Sequence, residues 1–153
     1  MIIGIPKETK DFEARVAIAP DTIQKLAKLG HKVYIESNAG KRSSFSDQDY
    51  IDAGANIADS QGQVYSSDII LKINALNNDE LELADPEKIV ICFFQIKDEL
   101  DHIQKYINKR ITLISMSHLP RKTLAQSMDA ISSQSNIAGY KAVLIGANHI
   151  KKY

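Results

Sequence analysis

The sequence predicts an α/β fold in three layers, with a mostly parallel sheet flanked by helices in a flavodoxin- or Rossmann-like topology. Two observations support this prediction. Short apolar runs alternate along the chain with segments of helical periodicity, which is the pattern of βαβ units. The run from Ile89 to Phe94 is almost continuously apolar, as expected of a strand that is buried on both faces of a parallel sheet.

In the first half of the chain, proline, glycine and serine residues mark the ends of the predicted helices. The predicted strands are Ile2 to Ile5, Lys32 to Glu36 and a short one within Gly54 to Ile57. Pro20 begins a helix that Gly30 ends, because proline suits the first turn of a helix and glycine the position after its last turn. Ser46 precedes acidic residues and is predicted to cap a second, short helix.

The second half repeats the alternation. The predicted strands are Asp68 to Ile73, Lys88 to Gln95 and Ile111 to Met116. The predicted helices are Asp79 to Leu83, Asp98 to Arg110 and a long one from about Thr123. Ligands of open parallel sheets bind beyond the carboxyl ends of the strands. Four segments that follow strands are therefore expected to meet at one edge: Pro6 to Val16, Lys72 to Ala75, Gln95 to Lys97 and Ser117 to Arg121.

Length and composition limit the function classes. The 153 residues are predicted to form a single domain, 1–153, with 44% apolar residues. Lys plus Arg equals Asp plus Glu at 19 each, which gives no basic excess for nucleic-acid binding. The lone cysteine, Cys92, is expected to be a buried thiol. The four histidines lie far apart without metal-ligand spacing, so no metal site is predicted.

Two cations lie near the predicted edge. Arg15 suits a carboxylate or phosphate ligand, but composition favours a surface ion pair with Glu8 or Glu13. Lys72 lies within a predicted strand, so it needs a partner or a role. An anionic ligand and a lysine that extends to solvent at the sheet edge are equally favoured interpretations.

The segment from Pro120 to Val143 is unusually rich in Ser, Gln and Asn. Its polar residues recur three or four positions apart, which on a helix places them on one face: Gln126, Asp129, Ser132 or Ser133, and Asn136. A face of this kind is typical of a polar ligand site, although serine-rich faces also permit close helix packing. The residues alone leave both interpretations open.

Several motifs together resemble a known family. They are Ile3-Gly-Ile-Pro-Lys-Glu-Thr-Lys10, Glu13-Ala-Arg-Val-Ala17, Gly30-His-Lys-Val33, Glu36-Ser-Asn-Ala-Gly40 and Ile70-Leu-Lys-Ile-Asn74. The chain resembles the N-terminal domain shared by alanine dehydrogenase and the alpha subunit of proton-translocating NAD(P) transhydrogenase. The resemblance covers essentially the whole chain. The segment from Pro120 to Val143 is more similar to the transhydrogenase branch.

The resemblance implies a set of cofactor-binding residues near the nicotinamide end of NAD(H): Arg121, Gln126, Asp129 and Ser132. Arg121 and Asp129 are also the candidates for positioning the nicotinamide during catalysis. One departure is Leu124, where the family usually has a second arginine. Another is Gln95, at the position where alanine dehydrogenase has a histidine as proton donor. Direct hydride transfer between two nicotinamides needs no such donor, so Gln95 favours the transhydrogenase branch.

The implied function is hydride transfer between NAD(H) and NADP(H), coupled to proton translocation. The family's Rossmann NAD-binding domain is absent from these residues, which contain no Gly-x-Gly-x-x-Gly, so the chain alone is expected to be inactive. The implied partners are that Rossmann domain, membrane and NADP(H)-binding subunits, and a second copy in a homodimer. The implied location is cytoplasmic, peripheral to the inner membrane. The alternatives are a stand-alone, non-enzymatic binding module and an alanine dehydrogenase-type domain.

Overall fold

The computed structural model describes residues 1–95, 100–120 and 122–150. Within them, six strands form one sheet in which all paired neighbours are parallel. The strands are β1 Ile2–Ile5, β2 Lys32–Ile35, β3 Asn56–Ile57, β4 Ile69–Asn74, β5 Ile89–Phe93 and β6 Thr112–Ser115. Their order, β3-β2-β1-β4-β5-β6, is that of a doubly wound sheet. The predicted fold class is confirmed.

Six α-helices accompany the strands in the described ranges. They are α1 Pro20–Lys28, α2 Asp47–Asp52, α3 Gln61–Tyr65, α4 Asn78–Leu83, α5 Leu100–Asn108 and α6 Ala130–His149. Ser46 caps α2 and forms a capping box with Asp49, as the acidic first turn had suggested. The short helix α3 was not predicted, because Gly62 weakens its helical signal. Its N-cap, Ser60, accepts a hydrogen bond from the backbone of Gln63.

The apolar core consists of two clusters. Side chains that alternate along β4 pack into different clusters, Ile70 into one and Ile69 and Leu71 into the other. One cluster joins β1 and β2 to α1 and α2, and it includes Ile5, Ile23, Ile35 and Tyr50. The other joins β4 and β5 to α3, α4 and α5, and it includes Tyr65, Ile70, Leu81, Val90, Cys92 and Tyr106. The buried state of Cys92 confirms its predicted location. Helices therefore cover the sheet on both faces.

Gly4 in β1 permits the close approach of α3. A Cβ atom at this position would lie 2.2 Å from the carbonyl oxygen of Val64 and 2.8 Å from Oγ of Ser67. The first contact is with backbone, which cannot rotate away as a side chain can. Glycine is therefore required here by packing.

The chain divides into two compact units, Met1–Ser115 and Met116–Tyr153. The first contains the sheet. The second contains 3₁₀ turns at Met116–His118 and Thr123–Met128, followed by α6. The prediction of a helix from about Thr123 is wrong in its start, since the α-helix begins at Ala130 with Asp129 as its N-cap. Over the described ranges, we find no helix with the length and apolar character of a membrane span.

Candidate functional site

The carboxyl edge of the sheet, between β1 and β4, is where the direction of strand winding reverses. In doubly wound folds this crevice is the usual ligand site. Here the first loop, residues 6–19, follows β1, and the segment before α4 follows β4. Polar side chains from both segments meet at this edge, and hydrogen bonds account for how each is held.

Lys72 lies on the central strand β4 with its side chain only 1% exposed. Its Nζ lies 2.9 Å and 3.0 Å from the two carboxylate oxygens of Glu80, and 3.6 Å from Glu8. The interpretation of a lysine reaching solvent at a sheet edge is therefore wrong. The charge is neutralised inside the protein by two carboxylates, as a buried ammonium group requires.

Glu80 is held by several donors besides Lys72. It accepts hydrogen bonds from Oγ1 of Thr9 at 3.1 Å and from the backbone N–H of Asn77 at 2.8 Å. Asn77 in turn caps α4, so the two residues form a capping box. The hydroxyl of Tyr65 also contacts this carboxylate, and burial together with the nearby charge of Glu80 raises the pKa of Tyr65.

Glu8 fills the crevice between β1 and β4. Its carboxylate accepts hydrogen bonds from the backbone N–H of Ile73 at 2.6 Å and from Nδ2 of Asn74 at 3.0 Å. Those donors lie at the end of β4, where they could bind an anionic ligand if Glu8 did not occupy them. The protein's own carboxylate thus occupies the part of the edge at which nucleotide phosphates bind in related topologies.

Arg15 confirms the ion-pair interpretation, with Glu13 as its partner. Nε and Nη2 of Arg15 donate to the two oxygens of Glu13 at 2.8 Å and 2.6 Å. Hydrogen bonding to Arg15 lowers the pKa of Glu13 from its ordinary value of 4.5 to about 2, against the opposing effect of burial. Asn74 also donates to Glu13, at 3.2 Å. The guanidinium lies over the ring of Phe93, 6.0 Å from its centroid.

The chemistry of this edge follows from these contacts. Over the described residues, each buried side-chain nitrogen and oxygen has a hydrogen-bond partner. Within the same ranges, no group of three or more side chains could hold a metal ion. Lys72 is buried and paired with the carboxylates of Glu8 and Glu80, and Arg15 forms an ion pair with Glu13. The edge is therefore a satisfied polar network.

The predicted nicotinamide-binding residues belong to the second unit. Asp129 accepts hydrogen bonds from the backbone N–H of Ser132 at 3.0 Å and from its Oγ at 2.5 Å. Gln126 is exposed and lies in the 3₁₀ turn, and its carbonyl oxygen accepts from the backbone N–H of Asp129. The structure thus brings Gln126, Asp129 and Ser132 into one short segment. Arg121 lies outside the described residues.

This arrangement corrects the predicted polar face. Gln126 and Asp129 precede the α-helix, so they do not share a helical face with Ser132 and Asn136. The physical reason is that the carboxylate of Asp129 accepts a hydrogen bond from the backbone N–H of Ser132, three residues ahead. A residue with this bond begins a helix and does not continue one. The residue type carries this signal in the sequence, because aspartate is one of the preferred N-cap residues.

Sequence reasoning missed the roles of Glu80, Glu8 and Asn74. Asn77-x-x-Glu80 is a readable capping signature, and it would have located Glu80 at the start of α4. Nothing in the spacing connects Glu8 with Asn74, because their contact spans 66 residues and depends on the pairing of β1 with β4.

Comparisons with known proteins agree with this fold. The family model "Alanine dehydrogenase/PNT, N-terminal domain" matches residues 4–138. The chain is 37% identical to the NAD(P) transhydrogenase subunit alpha of Haemophilus influenzae, over all of this chain and 30% of that protein. It is 32% identical to an alanine dehydrogenase of Staphylococcus saprophyticus, over all of this chain and 41% of that protein. The chain thus spans less than half the length of either relative.

A solved structure gives the same result in three dimensions. The crystal structure of transhydrogenase from Sinorhizobium meliloti superimposes with a TM-score of 0.94 at 34% sequence identity. The match covers 99% of this chain and 46% of that one.

Proposed function

Because the chain belongs to the alanine dehydrogenase/PNT N-terminal domain family, we propose that it works as the N-terminal domain of an NAD(P) transhydrogenase alpha subunit. In this proposal it forms one wall of an NAD(H) site for hydride transfer to and from NADP(H), coupled to proton translocation. The observation that carries the proposal is the Gln126-to-Ser132 segment, which presents amide, carboxylate and hydroxyl groups at the start of α6.

The groups in this segment fit a nicotinamide. Its carboxamide offers an acceptor oxygen and an NH2 group with two donor hydrogens, and exposed Gln126 and Ser132 can provide complementary groups. Asp129 is half-buried and fixed by two hydrogen bonds from Ser132, so its carboxylate is positioned before any ligand arrives. We propose that Arg121, Gln126, Asp129 and Ser132 orient the ring. NAD(H) itself, when bound, supplies or accepts the hydride.

The proposal requires partners. The sequence has no Gly-x-Gly-x-x-Gly, and Glu8 occupies the crevice between β1 and β4. A Rossmann domain would therefore bind most of the dinucleotide, and NADP(H) would bind on a partner subunit. We further propose a homodimer of the complete alpha subunit that is peripheral to the inner membrane through its partner subunits. The present chain is one domain of this assembly and is inactive alone.

The alanine dehydrogenase alternative receives less support from the contacts. Reduction of an imine requires a proton donor, and the predicted place, two residues after the end of β5, holds Gln95, which does not titrate. Lys72, for which an anionic ligand was one of the two interpretations, is neutralised by Glu80 and Glu8. A stand-alone, non-enzymatic module stays an alternative that the neighbouring genes would test, since isolation from transhydrogenase genes would favour it.

A chimeric enzyme tests the proposal. The N-terminal segment of the Haemophilus influenzae alpha subunit is replaced by this chain, and hydride transfer between the two nucleotides is measured. We expect Asp129→Asn to slow transfer by about 10- to 100-fold, because misplaced reactants react slowly. Asp101→Asn, which changes an exposed acid on α5, is the matched control and should leave the rate unchanged.

Two outcomes would contradict it. Equal rates for Asp129→Asn and the parent chimera would show that the site assignment is wrong. Calorimetric titration of the isolated chain with NADH provides the second measurement. Micromolar affinity there would show that no Rossmann domain is required.

A further inference from the structure

Phe12, at the tip of the first loop, is the most exposed large apolar side chain in the described ranges. Its side chain is 97% exposed, and its backbone has a φ of 63°. The tip is a tight turn in which the backbone N–H of Glu13 donates to the carbonyl oxygen of Lys10 at 3.2 Å. A positive φ at this position favours glycine or asparagine, and a bulky aromatic residue adopts it only under strain.

The base of the loop is fixed on both sides of this tip. Before it, the backbone N–H of Lys7 donates to Glu36 at 2.9 Å, and Glu8 binds the end of β4. After it, Glu13 binds Arg15 and Asn74, and Oγ of Ser43 donates to the carbonyl oxygen of Ala14 at 2.6 Å. The ring of Phe12 is thus presented on a rigid support, so little entropy is lost when it is bound.

Strain and exposure are two separate penalties at one residue, and no contact within the described residues offsets either of them. Strained backbone persists where it has a function, and preorganised aromatic side chains are common anchors of protein interfaces. We propose that Phe12 is an anchor that inserts into an apolar pocket of a partner protein. This inference rests on the proposed function, in which the partner is the NADP(H)-binding transhydrogenase subunit.

The choice of a protein partner follows from the surroundings of the ring. Phe12 is 97% exposed, and none of the described residues forms a second wall beside its ring, so a flat ligand stacked on it would stay open to water. A protein partner provides its own walls. Hydride transfer also requires the subunit with the second nicotinamide to dock against the domain that positions the first.

The charges of the loop indicate the rim of the pocket. Lys7 and Lys10 are exposed beside the tip, whereas Glu8 and Glu13 point inward and are paired. Exposed Asp11 offsets one of the two positive charges. We therefore expect an acidic rim around the apolar pocket, and binding that weakens as salt is added.

Calorimetry with the chain, Met1 to Tyr153, and the purified NADP(H)-binding subunit of the same transhydrogenase tests the inference. Phe12→Gly and Phe12→Asn remove the ring and suit the backbone conformation, so we expect both variants to be at least as stable as the parent. Both should nevertheless bind the subunit about tenfold or more weakly. Leu29→Ala removes another exposed apolar side chain, at the end of α1, and should leave binding unchanged.

The outcomes separate this inference from the proposed function. Equal affinity of the parent, Phe12→Gly and Phe12→Asn for the subunit would overturn the role of Phe12 and leave the proposed function standing. No binding by the parent chain would overturn the choice of partner, and with it this inference. If the chimera instead showed weaker NADH binding with Phe12→Gly and unchanged subunit binding, the ring would contact the dinucleotide and the inference would be wrong.

Discussion

The carboxyl edge of the sheet buries charged side chains, whereas the helix α6 exposes apolar ones. At the edge, Lys72, Glu8 and Glu80 are buried and paired. On α6 no residue is buried, and apolar side chains are exposed, including Ile137, Tyr140, Val143, Leu144 and Ile145. The edge therefore depends on long-range contacts, while α6 is held mainly by its own backbone hydrogen bonds and its N-cap, with local packing against the 3₁₀ turn at Met116–His118. Residues whose loss is costly should be concentrated at the edge.

The largest expected effect is at Lys72. Lys72→Met leaves the carboxylates of Glu8 and Glu80 buried without a cation, which is expected to lower the free energy of unfolding by about 3–5 kcal/mol. Ile137→Ser on α6 should change it by less than about 0.5 kcal/mol. Urea denaturation of both variants measures the contrast.

Adding Glu80→Gln to Lys72→Met provides an internal check, because it removes one of the two unpaired charges. The double variant should be more stable than Lys72→Met alone. A loss of under about 1 kcal/mol for Lys72→Met would show that the buried ion cluster is not what stabilises the edge.

Two glycines extend the contrast between the sheet and α6 to the backbone. Gly4→Ala places a Cβ against the carbonyl oxygen of Val64 and should destabilise the protein by about 1–3 kcal/mol. Gly139 in α6 has nothing within 4 Å of an added Cβ. Gly139→Ala should therefore stabilise the protein by up to about 1 kcal/mol through helix propensity. Thermal unfolding of both variants gives the sign of each change in stability, and two changes of the same sign would show that packing at Gly4 does not require glycine.

The smallest effect concerns Glu13, whose partner Arg15 is half-exposed. The pKa of Glu13 is lower in the folded protein, so its contribution to stability is present above pH 4.5 and is lost as pH falls toward 2. Glu13→Gln should lower the free energy of unfolding by about 1 kcal/mol at pH 7, because solvent screens the pair. The difference from the parent should shrink across that window.

Urea titrations at several pH values measure this difference. The exposed pair of Glu87 and Arg110 provides the matched control, so Glu87→Gln should cost less than about 0.5 kcal/mol. A Glu13→Gln effect that did not change between pH 7 and pH 2.5 would show that the ion pair does not cause it.

Local signals predicted most of the fold. Alternating apolar runs located β1, β2, β4, β5 and β6 to within one or two residues, and Pro20, Gly30 and Ser46 marked helix ends where the structure has them. These signals act over a few residues and so can be read from sequence. The order of the strands was not predicted, because the crossover rules give the hand of each connection and leave open which strands become neighbours.

The contacts at the candidate sites could be predicted only in part. Arg15 and Glu13 are two residues apart, so their pairing was among the alternatives. Glu8 meets β4 only because the strands pair across the sheet, and no spacing encodes that contact. In the second unit, helical spacing suggested a continuous face, but the capping preference of Asp129 prevailed over it. The resemblance selected Gln126, Asp129 and Ser132, and their role stays a prediction.

The burial of Lys72 also has a kinetic consequence. An amine-reactive reagent can modify Lys141, exposed on α6, from the native state, but it reaches Lys72 only after the sheet edge has opened. The rate at which Lys72 is acylated therefore reports how often the centre of the domain unfolds. Lys72 is thus a built-in probe of how fast the sheet opens, and Lys141 is an internal reference for the reactivity of the reagent.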